Sequence, residues 1–139
     1  MVGMKPIRTI ALAACAALTV GGLALPLAAQ SANGLDALRQ LTPGLWEVRE
    51  RGSGEKTRMC IRSGQDLIQL RHKGASCSRH VVESGSNDVT VQYTCRGDGY
   101  GRTHIRRESA VLAQVESQGI VGGLPFEFAG EARRVGACR

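Results

Sequence analysis

The residues of this 139-residue chain best able to do chemistry are five cysteines and three histidines. Cys15 stands apart; Cys60, Cys77, Cys95 and Cys138 are spread through the rest. No Cys-x-x-Cys or His-x-x-x-His step joins any of them. The short chelating spacing of a structural zinc site is therefore missing, as is the vicinal pair of a thiol-redox enzyme. His72, His80 and His104 read as solvated side chains: His72 as a surface cation near the end of a short helix, the other two on strand faces. Ser53 and Lys56 form a bare Ser-x-x-Lys step without its companion motifs, and no Gly-x-Ser-x-Gly elbow occurs. No P-loop or dinucleotide glycine pattern appears either. The expectation is a non-catalytic chain with no cofactor and no metal.

Two features remain that can bind. Gly97-Asp98-Gly99-Tyr100-Gly101 reads as a tight turn whose glycines supply positive φ, with amides able to hold an anion. After it come Arg102, His104, Arg106 and Arg107. Strand alternation places Arg102, His104 and Arg106 on one face with Tyr100, a cationic stripe suited to lipid head groups, a polyanion or an acidic partner. Its plainer reading is a solvated outer face. Nucleic acid is not expected, because no aromatic residues are interleaved with the basic ones for stacking.

These residues need a compartment and a scaffold. Residues 1–8 carry Lys5 and Arg8 and no acid, residues 9–25 are apolar or small, and Pro26-Leu27-Ala28-Ala29 is a small-residue exit. That order is a secretory signal peptide, with cleavage expected after Ala29. Gly21, Gly22 and Pro26 disfavour retention as a membrane helix, so no span is expected after cleavage. Leu12-Ala13-Ala14-Cys15 resembles a lipobox, but the residues after Cys15 stay apolar, and a lipid-anchored form is disfavoured. Losing the signal removes Lys5, Arg8 and Cys15, taking the formal charge from +6 to +4 and the cysteines from five to four. Four cysteines in an exported chain read as two disulfides, and a periplasmic or secreted location follows.

Three connectivities are possible, and strand geometry favours one. Val89, Val91, Tyr93 and Cys95 alternate with polar residues, a period-two strand. If the strand from Cys77 to Glu83 pairs with it across Ser84–Asp88, then Val81 faces Val91, Arg79 faces Tyr93 and Cys77 faces Cys95. Directly opposed antiparallel residues lie within disulfide reach. Cys60 and Cys138 are left to each other, tying the first hairpin to the C-terminus.

The remaining elements follow from pattern. Residues 30–42 form a leader with Leu35, Leu38 and Leu41 at helical spacing, ended before Pro43. Residues 43–139 form one disulfide-stabilised β-rich domain. Its first hairpin pairs Gly44–Arg49 with Thr57–Ile61 across Gly52-Ser53-Gly54-Glu55, setting Trp46 against Ile61 and Val48 against Met59. Ser63 and Asp66 cap a short helix with Leu67, Ile68 and Leu70 inside and Gly74 as its stop. Strands follow over Arg102–Glu108, Ser109–Gln118 and Leu124–Phe128. The expected fold is α+β, mainly β: an antiparallel sheet of six or seven strands with one short helix and two disulfides. Five aromatic residues make a thin core.

Gly44-Leu45-Trp46-Glu47-Val48, Met59-Cys60-Ile61, Cys77 and Cys95 with a strand between them, and Ala132-Arg133-Arg134-Val135-Gly136-Ala137-Cys138 form an ordered set. It resembles the domain-of-unknown-function 3617 family of small exported Gram-negative proteins. The resemblance spans nearly all of the mature chain and implies an envelope location and a four-cysteine scaffold. It brings no activity with it. The functional expectation is a binding or structural module facing an anionic envelope component. A small inhibitor of a hydrolase such as lysozyme is the first alternative, though a +4 chain suits a cationic lysozyme poorly. An enzyme with an unmarked site is the second.

Overall fold

Period-two alternation runs through most of the chain, and seven strands result. A computed structural model describes residues 34–139. The expected export signal, its expected cleavage site and the lipobox-like step at Cys15 lie outside the described residues, as does the start of the expected leader. Helix α1 covers Asp36–Arg39, followed by β1 (Gly44–Glu50), β2 (Lys56–Ile61), a 3-10 turn at Gly64–Leu67, and β3 (Cys77–Ser84). Then come β4 (Asp88–Cys95), β5 (Gly99–Ser109), β6 (Leu112–Val121) and β7 (Leu124–Gly136). All seven make one antiparallel sheet in the order β2-β1-β7-β6-β5-β4-β3. The mainly β sheet with two disulfides is the fold expected from pattern.

The sheet buries one face and leaves the other to solvent, as alternation on antiparallel strands allows. Trp46, Val91, Tyr93, Ile105 and Val115 point inward, where Leu38 and Leu41 of the leader and Leu67 and Ile68 of the turn region cover them. Trp46 has no exposed surface, and its indole N–H donates to the Thr42 carbonyl at 3.0 Å. A buried indole needs such a partner. Gly101 of β5 and Gly119 of β6 face each other across the sheet. A Cβ on Gly101 would overlap the Tyr93 hydroxyl, and one on Gly119 would overlap the Tyr100 carbonyl oxygen. Only glycine lets the backbones come that close.

The cysteine hairpin has the expected register, Cys77 opposite Cys95 and Val81 opposite Val91, with an irregularity between Val81 and Glu83 that turns Glu83 outward to face Thr90. Three expectations are corrected. The first hairpin pairs Trp46 with Met59 and Val48 with Thr57, two residues away from the expected register. The Glu50 amide donates to the Glu55 carbonyl at 2.9 Å and the Gly54 amide to the Glu50 carbonyl at 3.0 Å, so the hairpin closes one residue earlier than expected, and the Arg51 amide turns to the Ala129 carbonyl of β7 at 2.7 Å. A two-residue slip keeps the same residues inside, so the hydrophobic pattern alone does not detect it. Second, the helix after Ser63 is one 3-10 turn, although the Ser63–Asp66 capping box is present. The Ile68 carbonyl accepts from the Thr103 hydroxyl at 2.6 Å, and the His72 amide donates to Gln69 instead of Ile68. The bond that would continue an α-helix is thereby diverted. Third, the turn after Cys95 is shorter than expected, and Gly99, Tyr100 and Gly101 already belong to β5. The strand expected over Ser109–Gln118 lies largely in β6.

Candidate functional site

Register places the outward residues of the middle strands in transverse rows. One row runs Glu83, Thr90, His104, Glu116 and Ala129, from β3 to β7. The next runs His80, Gln92, Arg102, Gln118 and Glu127. A third holds Asp88, Arg106, Gln114 and Glu131. Arg102, His104 and Arg106 thus stand in line on the outer face of β5 with Tyr100, while Arg107 belongs to the opposite alternation and donates to Asn87.

The line is not uniformly cationic. Arg106 pairs with Glu108 at 3.1 Å and lies between Asp88 and Gln114. His104 lies opposite Glu116, and its Nδ1 is 3.1 Å from the Thr90 hydroxyl, which is 3.4 Å from Glu83. That carboxylate meets the hydroxyl and not the imidazole, the reverse of a nucleophile–base–acid relay. Arg102 has no ion pair or hydrogen bond among the described residues. It borders two shallow hollows of about 430 and 650 Å³, one towards Tyr100 and one towards His104.

His72 corrects the surface reading. It is 1% exposed and lies edge-on to Tyr93 and Phe126. Its Nε2 is 3.2 Å from the Asp98 carbonyl and 3.0 Å from the Ile120 carbonyl, and its Nδ1 is 3.0 Å from the Tyr93 hydroxyl. Two carbonyls only accept, so Nε2 carries the proton and Nδ1 accepts from the phenol. Thr103 and Ser117 hydroxyls lie 2.8 Å apart beside this cluster, with Thr103 donating to the Ile68 carbonyl. The cluster locks the segment after the 3-10 turn to β4, β6 and the turn before β5. No spacing signal marks it; an isolated histidine after a helix cap reads the same whether solvated or buried.

Burial pushes the Tyr93 phenol above its usual 10.0, partly offset by a hydrogen bond from Ser117. A raised folded-state value means that its stabilisation is complete below the unfolded value and is lost as pH rises beyond it. The midpoint of thermal unfolding should therefore fall more steeply above about pH 10 than in Tyr93→Phe. Parallel slopes in melts across that range would remove Tyr93 from the account. At the surface, hydrogen bonds from Lys56 and Arg58 hold the Glu47 carboxyl below its usual value.

The other motifs resolve into structure. Ser53 donates to Glu50, and Lys56 pairs with Glu47 at 3.2 Å, so the Ser-x-x-Lys step forms no joint site. The Asp98 amide donates to the Cys95 carbonyl, closing the turn that could have offered amides to an anion. His80 is exposed on edge strand β3. Disulfides join Cys77 to Cys95 and Cys60 to Cys138. Among the described residues no cluster of three or more histidine, cysteine or acidic side chains could hold a metal, and no helix is long and apolar enough to cross a membrane.

Residues 41–138 match the family model described as protein of unknown function, DUF3617. No curated protein and no solved structure matches the chain.

Proposed function

The chain belongs to the DUF3617 family, and from that premise we propose that it is an exported, non-catalytic binding module of the cell envelope. The outer sheet face around Arg102 receives an anionic group of another envelope component. Residues 1–29 direct export, and the working protein is the periplasmic chain that remains. Two disulfides are compatible with such an oxidising compartment.

One observation carries the reading. Among the described residues Arg102 lies in the middle of a broad sheet face with no partner for its side chain, as does Arg49 nearer the β2 edge, whereas Arg51, Lys56, Arg58, Arg106 and Arg133 on the same side are engaged by carboxylates. An unpaired guanidinium on a rigid strand is pre-oriented for a carboxylate or phosphate. Arg106 and His104 widen the positive side of this surface.

The test is crosslinking in intact cells followed by partner identification. Arg102→Glu combined with Arg106→Glu should abolish the captured partner, and high salt should weaken the wild-type complex. Retention of every partner by the double variant would leave the face as plain solvated surface and end this reading.

A further inference from the structure

The outer face divides into two regions. Towards β2 and the distal ends of β5 and β6, polar side chains satisfy one another. Glu47 holds Lys56 and Arg58, Glu131 holds Arg133 and Gln114, and Thr90 holds His104. The region around Arg102 is different. Gln92 and Gln118 flank Arg102 on either side, and the exposed ring of Tyr100 lies two residues along the same strand. None of these four side chains has a hydrogen-bond partner among the described residues. They border one hollow of about 430 Å³ whose floor includes the backbone at Gly101 and Gly119.

We propose that this hollow binds a carboxylate-bearing sugar unit of an envelope polysaccharide. The inference rests on the reading of this face as a binding surface and names its ligand class. Neighbouring strands are about 4.8 Å apart, so Gln92, Arg102 and Gln118 span about 10 Å, the scale of a sugar ring with its substituents. The Arg102 fork matches a carboxylate with two parallel N–H···O bonds. Each glutamine amide offers two donors and an acceptor, matching hydroxyls that both donate and accept. Tyr100, 51% exposed, presents an aromatic face of negative potential to the C–H face of a pyranose.

The charge pattern selects against a dense polyanion. A single unpaired cation sits among neutral amides, and Glu116 and Glu127 lie in the adjoining row and at the end of the same row. A polyphosphate or nucleic acid strand would meet those carboxylates, whereas a sugar with one carboxylate satisfies Arg102 and leaves hydroxyls for its neighbours. A protein partner would have no particular need for both amides and an isolated aromatic ring.

Calorimetric titration of the oxidised protein tests this with defined probes: a hexuronate tetramer and an N-acetylmuramic-acid-containing disaccharide, each against a neutral oligosaccharide of equal length, with polyphosphate as competitor. At least one acidic sugar should bind about tenfold more tightly than its neutral counterpart. Arg102→Gln should abolish that preference. Tyr100→Ala, and Gln92→Ala with Gln118→Ala, should each weaken binding about fivefold or more. Among the described residues these side chains make no hydrogen bond or ion pair, so the variants should melt with the wild type, which makes a loss of binding interpretable. Failure of both acidic sugars, insensitivity to Tyr100→Ala, or stronger binding of polyphosphate would overturn the proposal. A protein captured through Arg102 with no sugar binding would overturn it too, while leaving the binding-module reading in place.

Discussion

Removal of both disulfides should abolish cooperative unfolding. Cys60 lies on the outward side of edge strand β2, and Cys138 follows β7, with β1 between them. Their bridge closes a loop with a sequence separation of 78 residues and holds the outermost hairpin to the C-terminal tail. The second bridge closes a separation of 18 residues within the β3–β4 hairpin. Loop-closure entropy assigns about 4.5 kcal/mol to the first and about 3 kcal/mol to the second. Those figures are set against a total stability of about 5–15 kcal/mol for a domain of this kind. Cys60→Ala with Cys138→Ala should therefore cost more than Cys77→Ala with Cys95→Ala, and loss of all four should leave no resolvable transition. Urea melts of the two double variants, and of the wild type with and without reductant, measure this. An unchanged midpoint under full reduction would show that the thin core suffices alone.

The second large effect is expected at His72. Truncation to alanine opens a cavity under β4 and β6 and leaves the Tyr93 hydroxyl and the Asp98 and Ile120 carbonyls to find other partners. A lost buried ring together with unsatisfied buried polar groups costs about 3–4 kcal/mol. Tyr93→Phe removes only one hydrogen bond and should cost about 1 kcal/mol. Because the two groups share that bond, the double variant should be less destabilised than the two single effects added together. Equilibrium unfolding of the four-member cycle tests the point. Additive costs would mean that His72 and Tyr93 stabilise the fold independently and that their contact is incidental. Whether such a loss reaches the outer face is measurable in the same variants. Gly101 separates Tyr93 inside from Arg102 outside, so relaxation of the cluster should loosen the strand that presents Arg102.

How legible each feature was depended on whether neighbours along the chain decide it. Alternation from Val89 to Cys95 fixes the faces of β4, but Cys77 meets Cys95 because the irregularity between Val81 and Glu83 takes up one residue of β3; the register at the turn alone would set Ser78 there. Once Cys77 and Cys95 oppose each other, the remaining cysteines have one partner. The Ser63–Asp66 cap is equally local, since both residues bond the backbone they stand on. The first hairpin escaped because its turn closes one residue earlier than composition suggests, at Glu50 and Glu55, and a two-residue slip moves no apolar side chain to the wrong face. His72 escaped for another reason. Its hydrogen-bond partners come from β4, β6 and the turn before β5, and no periodicity in its own segment records them.

By itself the sequence determined the mainly β class, the inward and outward faces of each strand, the alignment of Tyr100, Arg102, His104 and Arg106, and the cysteine framework. All of these follow from a two-residue period and from contacts between chain neighbours. Tertiary structure alone decided the strand order, the burial of His72, and which charges on the outer face are already paired. Each of those turns on which distant residue lies opposite another once the sheet closes, and that is how Arg102 came to be left open between two uncommitted glutamines.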